Sequence, residues 1–176
     1  MKKLLLTLLL GMMSFSASLT GPRYRVEGSF SALPVIVPAS GSFVKVYVYV
    51  SALGSFLPEW KSQINDKLDI TFGPKITAGI TNKIGGDKIN IFPNVVLGIE
   101  TDFNYKLKEN IKVYSSMEVG LGVGADIEKN KDIMVEPAPS IILKLALGAK
   151  INDKYNVGAY MGYGKSFLGI EFGYTF

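Results

Sequence analysis

Apolar and polar residues alternate along most of the chain after residue 24. In the last ten residues, one face of an extended segment would carry only large apolar side chains: Leu168, Ile170, Phe172, Tyr174 and Phe176. Side chains on a β-strand point alternately to its two faces, so this period of two predicts a strand with one apolar face. We expect the rest of the chain to be built from strands of the same kind.

Seven earlier segments repeat the pattern and, with the terminal segment, predict eight strands. These strands are expected at residues 24–32, 43–52, 68–81, 90–107, 111–127, 133–151, 155–163 and 167–176. The density of Val, Ile, Tyr and Phe in the segments favours strands over helices. Gly, Pro, Asn and Asp are frequent between them, which is typical of turns and loops.

Three features interrupt the alternation. Pro74 stands in the middle of the third strand, where it predicts a β-bulge. Pro137 and Pro139 are expected to delay regular pairing of the sixth strand until about Ile141. Residues 54–67 lose the alternation and are interpreted as a long connection with one helical turn, the alternative being that the second strand continues past Ala52.

The first 18 residues follow a different pattern. Met1-Lys2-Lys3 gives a basic start, about ten apolar residues follow, and Ser16-Ala17-Ser18 supplies small residues for cleavage after Ser18. This is the organisation of a secretory signal peptide, and the apolar run is shorter than the roughly 20 residues that a membrane-spanning helix needs. We therefore expect a signal peptide at 1–18 and one domain at 19–176.

Composition excludes several classes of function. The 176 residues include no Cys and no His, which removes disulfides, thiolate metal sites and most catalytic bases and zinc sites. The formal net charge of +4 falls to +2 without Lys2 and Lys3, which is too weak to suggest nucleic acid as a partner.

The chain resembles the small eight-stranded bacterial outer-membrane β-barrel proteins, the OmpX-like and OmpA membrane-domain group. The resemblance lies in the strand count, the period of two and the final Tyr174-Thr175-Phe176. It implies an all-β, antiparallel up-and-down transmembrane barrel in the bacterial outer membrane, with the apolar faces toward lipid. The terminal strand (Leu168, Ile170, Phe172, Tyr174 and Phe176) would then be the signal that the barrel-assembly machinery reads, and Trp60 an interfacial anchor.

The same resemblance implies the partners of the chain. Outer-membrane lipid and lipopolysaccharide would surround the barrel, periplasmic chaperones would deliver it, and outer loops would contact a host or surface ligand.

The predicted inward faces carry charges of both signs. Because an eight-stranded barrel is just wide enough for side chains to fill, and buried charges need partners, we expect an ion-pair network in the lumen. Its predicted members are Arg25, Glu27, Lys45, Asp69, Lys75, Glu100, Asp102, Lys112, Glu118, Glu136, Lys144 and Glu171. The alternative is a narrow path for ions or solutes through these charges.

Motifs for catalysis are weak. Glu100 and Asp102 share a face and could act as paired carboxylates in acid–base work or metal binding, but the surrounding Lys and Arg favour charge pairing. Residues 120–124, Gly-Leu-Gly-Val-Gly, lie inside a strand and so fail the context of a phosphate-binding loop. Without His, the Ser–His mechanism of lipid A-modifying barrels is not possible. We expect no enzyme activity, no cofactor and no metal.

Three hypotheses for function remain open. The first is a structural, adhesion or surface-interaction protein of the outer membrane, and the second is a narrow porin-like channel or carrier for small solutes. The third is a soluble periplasmic lipid-binding barrel, which requires the apolar face to lie inside. Alternation alone cannot say which face is inside.

Overall fold

Eight antiparallel strands form a closed barrel, in which each strand pairs with its sequence neighbours and the last pairs with the first. The computed structural model describes residues 18–38, 44–85, 88–129, 133–165 and 167–176, so the predicted signal peptide lies outside the described residues except for Ser18. The strands are β1 (Leu19–Pro38), β2 (Val44–Gln63), β3 (Leu68–Gly85), β4 (Lys88–Lys108), β5 (Ile111–Lys129), β6 (Ile133–Ile151), β7 (Tyr155–Tyr163) and β8 (Leu168–Thr175). The predicted eight-stranded up-and-down barrel is confirmed.

The strands are strongly staggered around the ring. Pairs that start at Phe30 of β1 and run once around the barrel return to β1 at Leu19, by way of Ile170, Ala159, Leu147, Ser115, Phe103, Ile70 and Ser62. Closing a barrel with such a stagger tilts every strand against the barrel axis. Side chains far apart in sequence therefore meet at the same height inside the barrel.

The short turns lie at one rim of the barrel, which we call the turn rim. The beginning of the first strand and the end of the last strand meet at the same rim. Its turns are residues 64–67, 109–110 and 152–154, and Tyr24 exchanges backbone hydrogen bonds with Phe176 beside them. Asn152 and Asp153 both have a φ of 54°, a left-handed conformation that Asn and Asp tolerate well. The opposite rim, where β1–β2, β3–β4 and β5–β6 connect, is called the loop rim.

The predicted long connection at residues 54–67 is wrong, and the alternative is confirmed, because β2 continues past Ala52 to Gln63. The alternation is hidden there, since the inward face includes Leu53 and Leu57 while the outward face includes Gly54 and Pro58. Position along the strand, and not polarity, then decides which way each residue points.

The predicted bulge at Pro74 is also wrong. The β2–β3 register is the same on both sides of it, Trp60↔Phe72 and Phe56↔Ile76, so Pro74 lies opposite Pro58. Two facing prolines remove the donors of one pair together and leave the register unchanged.

The prolines of β6 pair earlier than predicted. Pro137 and Pro139 already lie in the ladder with β5, whereas pairing with β7 begins at Leu143. The delay predicted from these prolines therefore holds on one side of the strand alone.

The burial pattern decides which face is inside. Large apolar side chains cover the outside, as at Leu97 and Ile99, which are 67% and 64% exposed, while charged side chains on the alternate positions are buried. Among the described residues, no helix is long and apolar enough to span a membrane.

Candidate functional site: a charged lumen

The lumen is filled by a network of ion pairs with Glu100 of β4 at its centre. Glu100 Oε2 lies 2.6 Å from Lys75 Nζ and 2.8 Å from Lys144 Nζ, and Glu100 Oε1 pairs with Arg25. The charged groups of these four residues are at most 1% exposed. Three strands other than β4 thus bring a cation to one carboxylate.

Arg25 of β1 is surrounded by carboxylates. Besides Glu100, its guanidinium lies 2.6 Å from Asp102 Oδ2 and 3.2 Å from both Glu27 Oε1 and Glu59 Oε2. Two further cations balance this excess of negative charge. Arg23 pairs with Glu59, and Lys150 Nζ lies 2.7 Å from Asp102 Oδ2.

The network continues toward the loop rim through Glu118 and Glu171. Lys144 Nζ lies 2.7 Å from Glu171 Oε2 and 3.3 Å from Glu118 Oε2. Lys75 pairs with Glu118 at 3.3 Å and also with Glu27. Lys165, from the loop between β7 and β8, closes the top of the network with its Nζ 2.8 Å from Glu118 Oε2.

A second cluster closes the lumen at the turn rim. Lys112 Nζ lies 2.7 Å from Asp69 Oδ2 and 2.6 Å from Asp153 Oδ1, and Lys61 approaches the same two carboxylates. Asn104 joins the clusters, since its amide donates to Asp69 and to Thr71, whose hydroxyl donates to Asp102.

The ion pairs of this lumen network are balanced in charge. They join eight cations to eight carboxylates: Arg23, Arg25, Lys61, Lys75, Lys112, Lys144, Lys150 and Lys165 with Glu27, Glu59, Asp69, Glu100, Asp102, Glu118, Asp153 and Glu171. We call this set the plug. Breaking a buried pair from one side leaves an uncompensated charge, so each member holds its neighbours in place.

Two members of the plug outside the strands have shifted pKa values. Burial alone would raise the pKa of Asp153, but hydrogen bonds and the positive charges of Lys112 and Lys61 outweigh it and lower this pKa to about 2. Burial, and then the positive charges of Lys75 and Lys144, lowers the pKa of Lys165 to about 8 despite its pairing with Glu118.

The structure places ten of the predicted lumen charges in the plug: Arg25, Glu27, Asp69, Lys75, Glu100, Asp102, Lys112, Glu118, Lys144 and Glu171. Glu136 is not among them. It is exposed near the loop rim opposite Asp126, on a part of β6 that extends beyond β7. The side chain of Lys45 lies outside the described residues.

Six members of the plug were missed by the sequence prediction: Arg23, Glu59, Lys61, Lys150, Asp153 and Lys165. Lys150 has the strand position of Lys144, and Glu59 has that of Ser55, so a longer β2 and a stricter count along β6 would have found both. Lys165 gives no such signal, because its loop turns into the lumen.

Glu100 and Asp102, the two carboxylates considered for acid–base work or metal binding, are both engaged in the plug. Glu100 and Asp102 both contact Arg25, and Asp102 also contacts Lys150 and Thr71. Within the described ranges, no three His, Cys, Asp or Glu side chains are grouped so as to hold a metal ion.

The outer surface near the turn rim carries aromatic rings. Tyr24 stacks on Phe56 at 5.9 Å between ring centroids and contacts Phe176 at 6.1 Å, and Tyr155 contacts Tyr174 at 5.2 Å. Trp60 is half-buried on the same surface, opposite Phe72. These rings form one band across β7, β8, β1, β2 and β3, which we call the aromatic band.

The inward glycines make room for large side chains. A Cβ on Gly148 would lie 2.6 Å from the ring of Tyr114. In the same way, a Cβ on Gly120 would meet the side chain of Val96, and one on Gly124 would meet the ring of Phe92.

No family model and no curated protein matches the chain. Among solved structures, it is similar to the N-terminal β-barrel domain of Pseudomonas aeruginosa OprF, with 10% sequence identity, coverage of 89% of this chain and 100% of that chain, and a TM-score of 0.40. The eight-stranded architecture therefore rests on the strand pairing of this chain itself.

Proposed function

We propose that this chain is a non-enzymatic β-barrel of the bacterial outer membrane with a structural, adhesion or surface-interaction role, and that the plug closes its lumen. The single observation that carries the proposal is the inverted burial of the barrel, with apolar side chains outside and charged ones inside. A barrel in water buries its apolar face, whereas a barrel in lipid must present it to the acyl chains.

The aromatic band supports the same location. Tyr and Trp prefer the level of the lipid headgroups, so the rings around Tyr24, Tyr155 and Trp60 fit the membrane interface at the turn rim. In this proposal the turn rim faces the periplasm, and β8, with Leu168, Ile170, Phe172, Tyr174 and Phe176, is the strand that the assembly machinery and its chaperones recognise. Lipopolysaccharide and a surface ligand meet the loop rim.

The test replaces one outward side chain at mid-wall by lysine. Ile99→Lys is expected to lower the free energy of unfolding in lipid vesicles by about 2–4 kcal/mol, because a charge would enter the bilayer centre. The control Asn110→Lys adds the same charge in an exposed turn and is expected to stay within about 0.5 kcal/mol of the wild type. If the wall faced water, Ile99→Lys would be as neutral as the control and more soluble.

A further inference from the structure

The outer wall of the barrel has a hollow across β5, β6 and β7. Ser115 and Ala159 pair with Leu147 from its two sides, so two short side chains stand beside a long one at the same height. The space has a volume of about 520 Å³, within the roughly 300–1,000 Å³ of small-molecule sites. We call it the hollow, and its outward lining includes Phe103, Ser115, Met117, Leu147, Ala159 and Met161.

The hollow is suited to a hydrocarbon chain. No charged residue is among those that line it, and its methionines Met117 and Met161 are 50% and 48% exposed. A polar group placed there would lose its hydration without gaining a partner, whereas an alkyl chain would gain contact with apolar walls. Methionine side chains are flexible and can adapt to the shape of such a chain.

The hollow lies near the turn rim. Ser115 and Ala159 each lie four residues after the start of their strands, at Ile111 and Tyr155. At about 3.3 Å per residue this is roughly 13 Å along the strand, which is less than half of the roughly 30 Å hydrocarbon core of a bilayer. In a membrane, the hollow therefore belongs to the leaflet at the turn rim.

The aromatic band is interrupted between the hollow and the turn rim. Tyr105 of β4 and Tyr155 of β7 stand at the two sides of the interruption. Over β5 and β6, the outward residues at this level are aliphatic: Ile111, Val113, Ala149 and Ile151. Because Tyr and Trp occupy the level of the lipid headgroups, their absence here leaves room for one headgroup above the hollow.

Lys108 lies at the rim end of this interruption. The β4–β5 register shifts between Lys106 and Lys108. Lys106 still pairs with Lys112, whose side chain belongs to the plug, but after the shift Lys108 pairs with Ile111. Residues opposite each other in a ladder share a face, and Ile111 is on the outward face with Val113, so the shift turns Lys108 outward.

The turn rim has an excess of positive charge. The plug itself is neutral, so it does not compensate charges at the rim. Outside the plug, the charged side chains of the described turn rim are Lys67, Lys106, Lys108 and Lys154 against Asp66 and Glu109. This excess of two positive charges favours a headgroup with a net negative charge, since basic residues at a membrane surface attract anionic lipids.

We propose that the hollow and Lys108 form a binding site for one anionic glycerophospholipid of the leaflet at the turn rim. Its phosphate lies at Lys108 in the interruption of the aromatic band, and one acyl chain passes along β5 and β6 into the hollow. This inference rests on the proposed membrane location, in which the turn rim faces the periplasm.

The experiment follows methionine methyl groups by NMR in the barrel inserted in nanodiscs. Without residues 1–18, the chain keeps Met117, Met134 and Met161, and Met134 is at the loop-rim end of β6. Dioleoylphosphatidylglycerol replaces an increasing share of dioleoylphosphatidylcholine, which has the same acyl chains. The methyl resonances of Met117 and Met161 are expected to shift to saturation, while that of Met134 stays unchanged.

Two variants separate the headgroup from the chain. Lys108→Gln is expected to raise the half-saturating share of phosphatidylglycerol about fivefold, the effect of one basic residue at a membrane surface. Its control, Lys83→Gln, removes the same charge near the loop rim and should behave as the wild type. The double variant Ser115→Phe with Ala159→Phe fills the hollow and should abolish the saturable shift.

The control for the filled hollow is Ala78→Phe, on the outward face of β3, which should leave the titration unchanged. Equal responses of all three methionines in an inserted barrel, or a saturable shift that neither Lys108→Gln nor the double variant alters, would overturn the lipid site while the membrane location stands. Shifts that follow the number of barrels per nanodisc would overturn it in favour of a second copy in the hollow. A chain that does not enter nanodiscs would contradict both proposals.

Discussion

Glu100 is the side chain on which most of the buried charge converges. Glu100→Gln leaves Arg25, Lys75 and Lys144 with one carboxylate fewer in a site closed to water. Loss of one partner of a buried pair typically costs about 3–5 kcal/mol, and we expect a decrease of that size in the free energy of unfolding, measured by urea titration in vesicles.

The control for this substitution is Glu109→Gln, which makes the same change in an exposed turn. It is expected to leave the free energy of unfolding within about 0.5 kcal/mol of the wild type. Equal stability of the two variants would show that the plug does not hold the barrel together.

Asp153 predicts how stability depends on pH. Its pKa of about 2 in the folded barrel lies below the usual value of about 3.9 for an unfolded Asp, so folding favours the ionised form. Its contribution is therefore complete above about pH 4 and is lost as the pH falls toward 2. The stability difference between wild type and Asp153→Asn is expected to shrink over that interval.

Asp66→Asn is the matched control, because Asp66 is exposed in the neighbouring turn between β2 and β3. It is expected to leave the free energy of unfolding within about 0.5 kcal/mol of the wild type. If the stability difference between wild type and Asp153→Asn does not shrink as the pH falls, the pairing of Asp153 with Lys112 does not persist in solution.

Single strands show how far a period-two pattern can be followed. β6 and β7 have the predicted bounds because each keeps apolar residues outward along the paired wall. In β2, by contrast, Leu53 and Leu57 point inward and are buried, so the pattern disappears where the lumen itself is apolar. Glu59 and Lys61 were lost from the predicted site for that reason.

The effect of each proline was predicted from its own strand, whereas the neighbouring strand determines it. Pro74 does not break the register, since Pro58 opposite it has no donor either. Pro137 and Pro139 mark a free edge that exists because β7 is only 9 residues long, while β6 has 19. Neither pairing is contained in the sequence around the prolines themselves.

The free edges predict an effect on association. In the described part of the chain, residues 31–38 of β1 and 133–142 of β6 have a neighbouring strand on one side alone. Replacing Pro34, Pro137 and Pro139 together by Val restores N–H donors along these two edges and is expected to produce dimers through edge pairing, measured by native mass spectrometry. Pro93→Val is the control, because β4 has a neighbour on both sides. A triple variant that stays monomeric would show that the prolines are not what keeps the edges free.

The choice between inside and outside is made by the whole molecule. Alternation in β1 or β8 is equally compatible with a barrel that holds its apolar residues inside. The inward direction of the charged face is decided by charges from seven strands and two connections, which form ion pairs with one another when they face inward. No single strand contains both partners of enough of these ion pairs to show this. The fold was therefore predictable strand by strand, whereas the plug was predictable only in part.

The plug predicts that the barrel is silent in a planar bilayer. Its central side chains are at most 3% exposed and each carboxylate contacts at least one cation, so an ion would have to break buried pairs to pass. We expect no channels from residues 19–176, and small currents from the charge-neutral double variant Glu118→Ala with Lys144→Ala, which removes side chains from the centre. The control, Glu109→Ala with Lys154→Ala, removes the same charges at the exposed turn rim and should stay silent.

Reproducible wild-type channels that the central double variant alters would instead favour the narrow channel for small solutes, with the plug as its selectivity element.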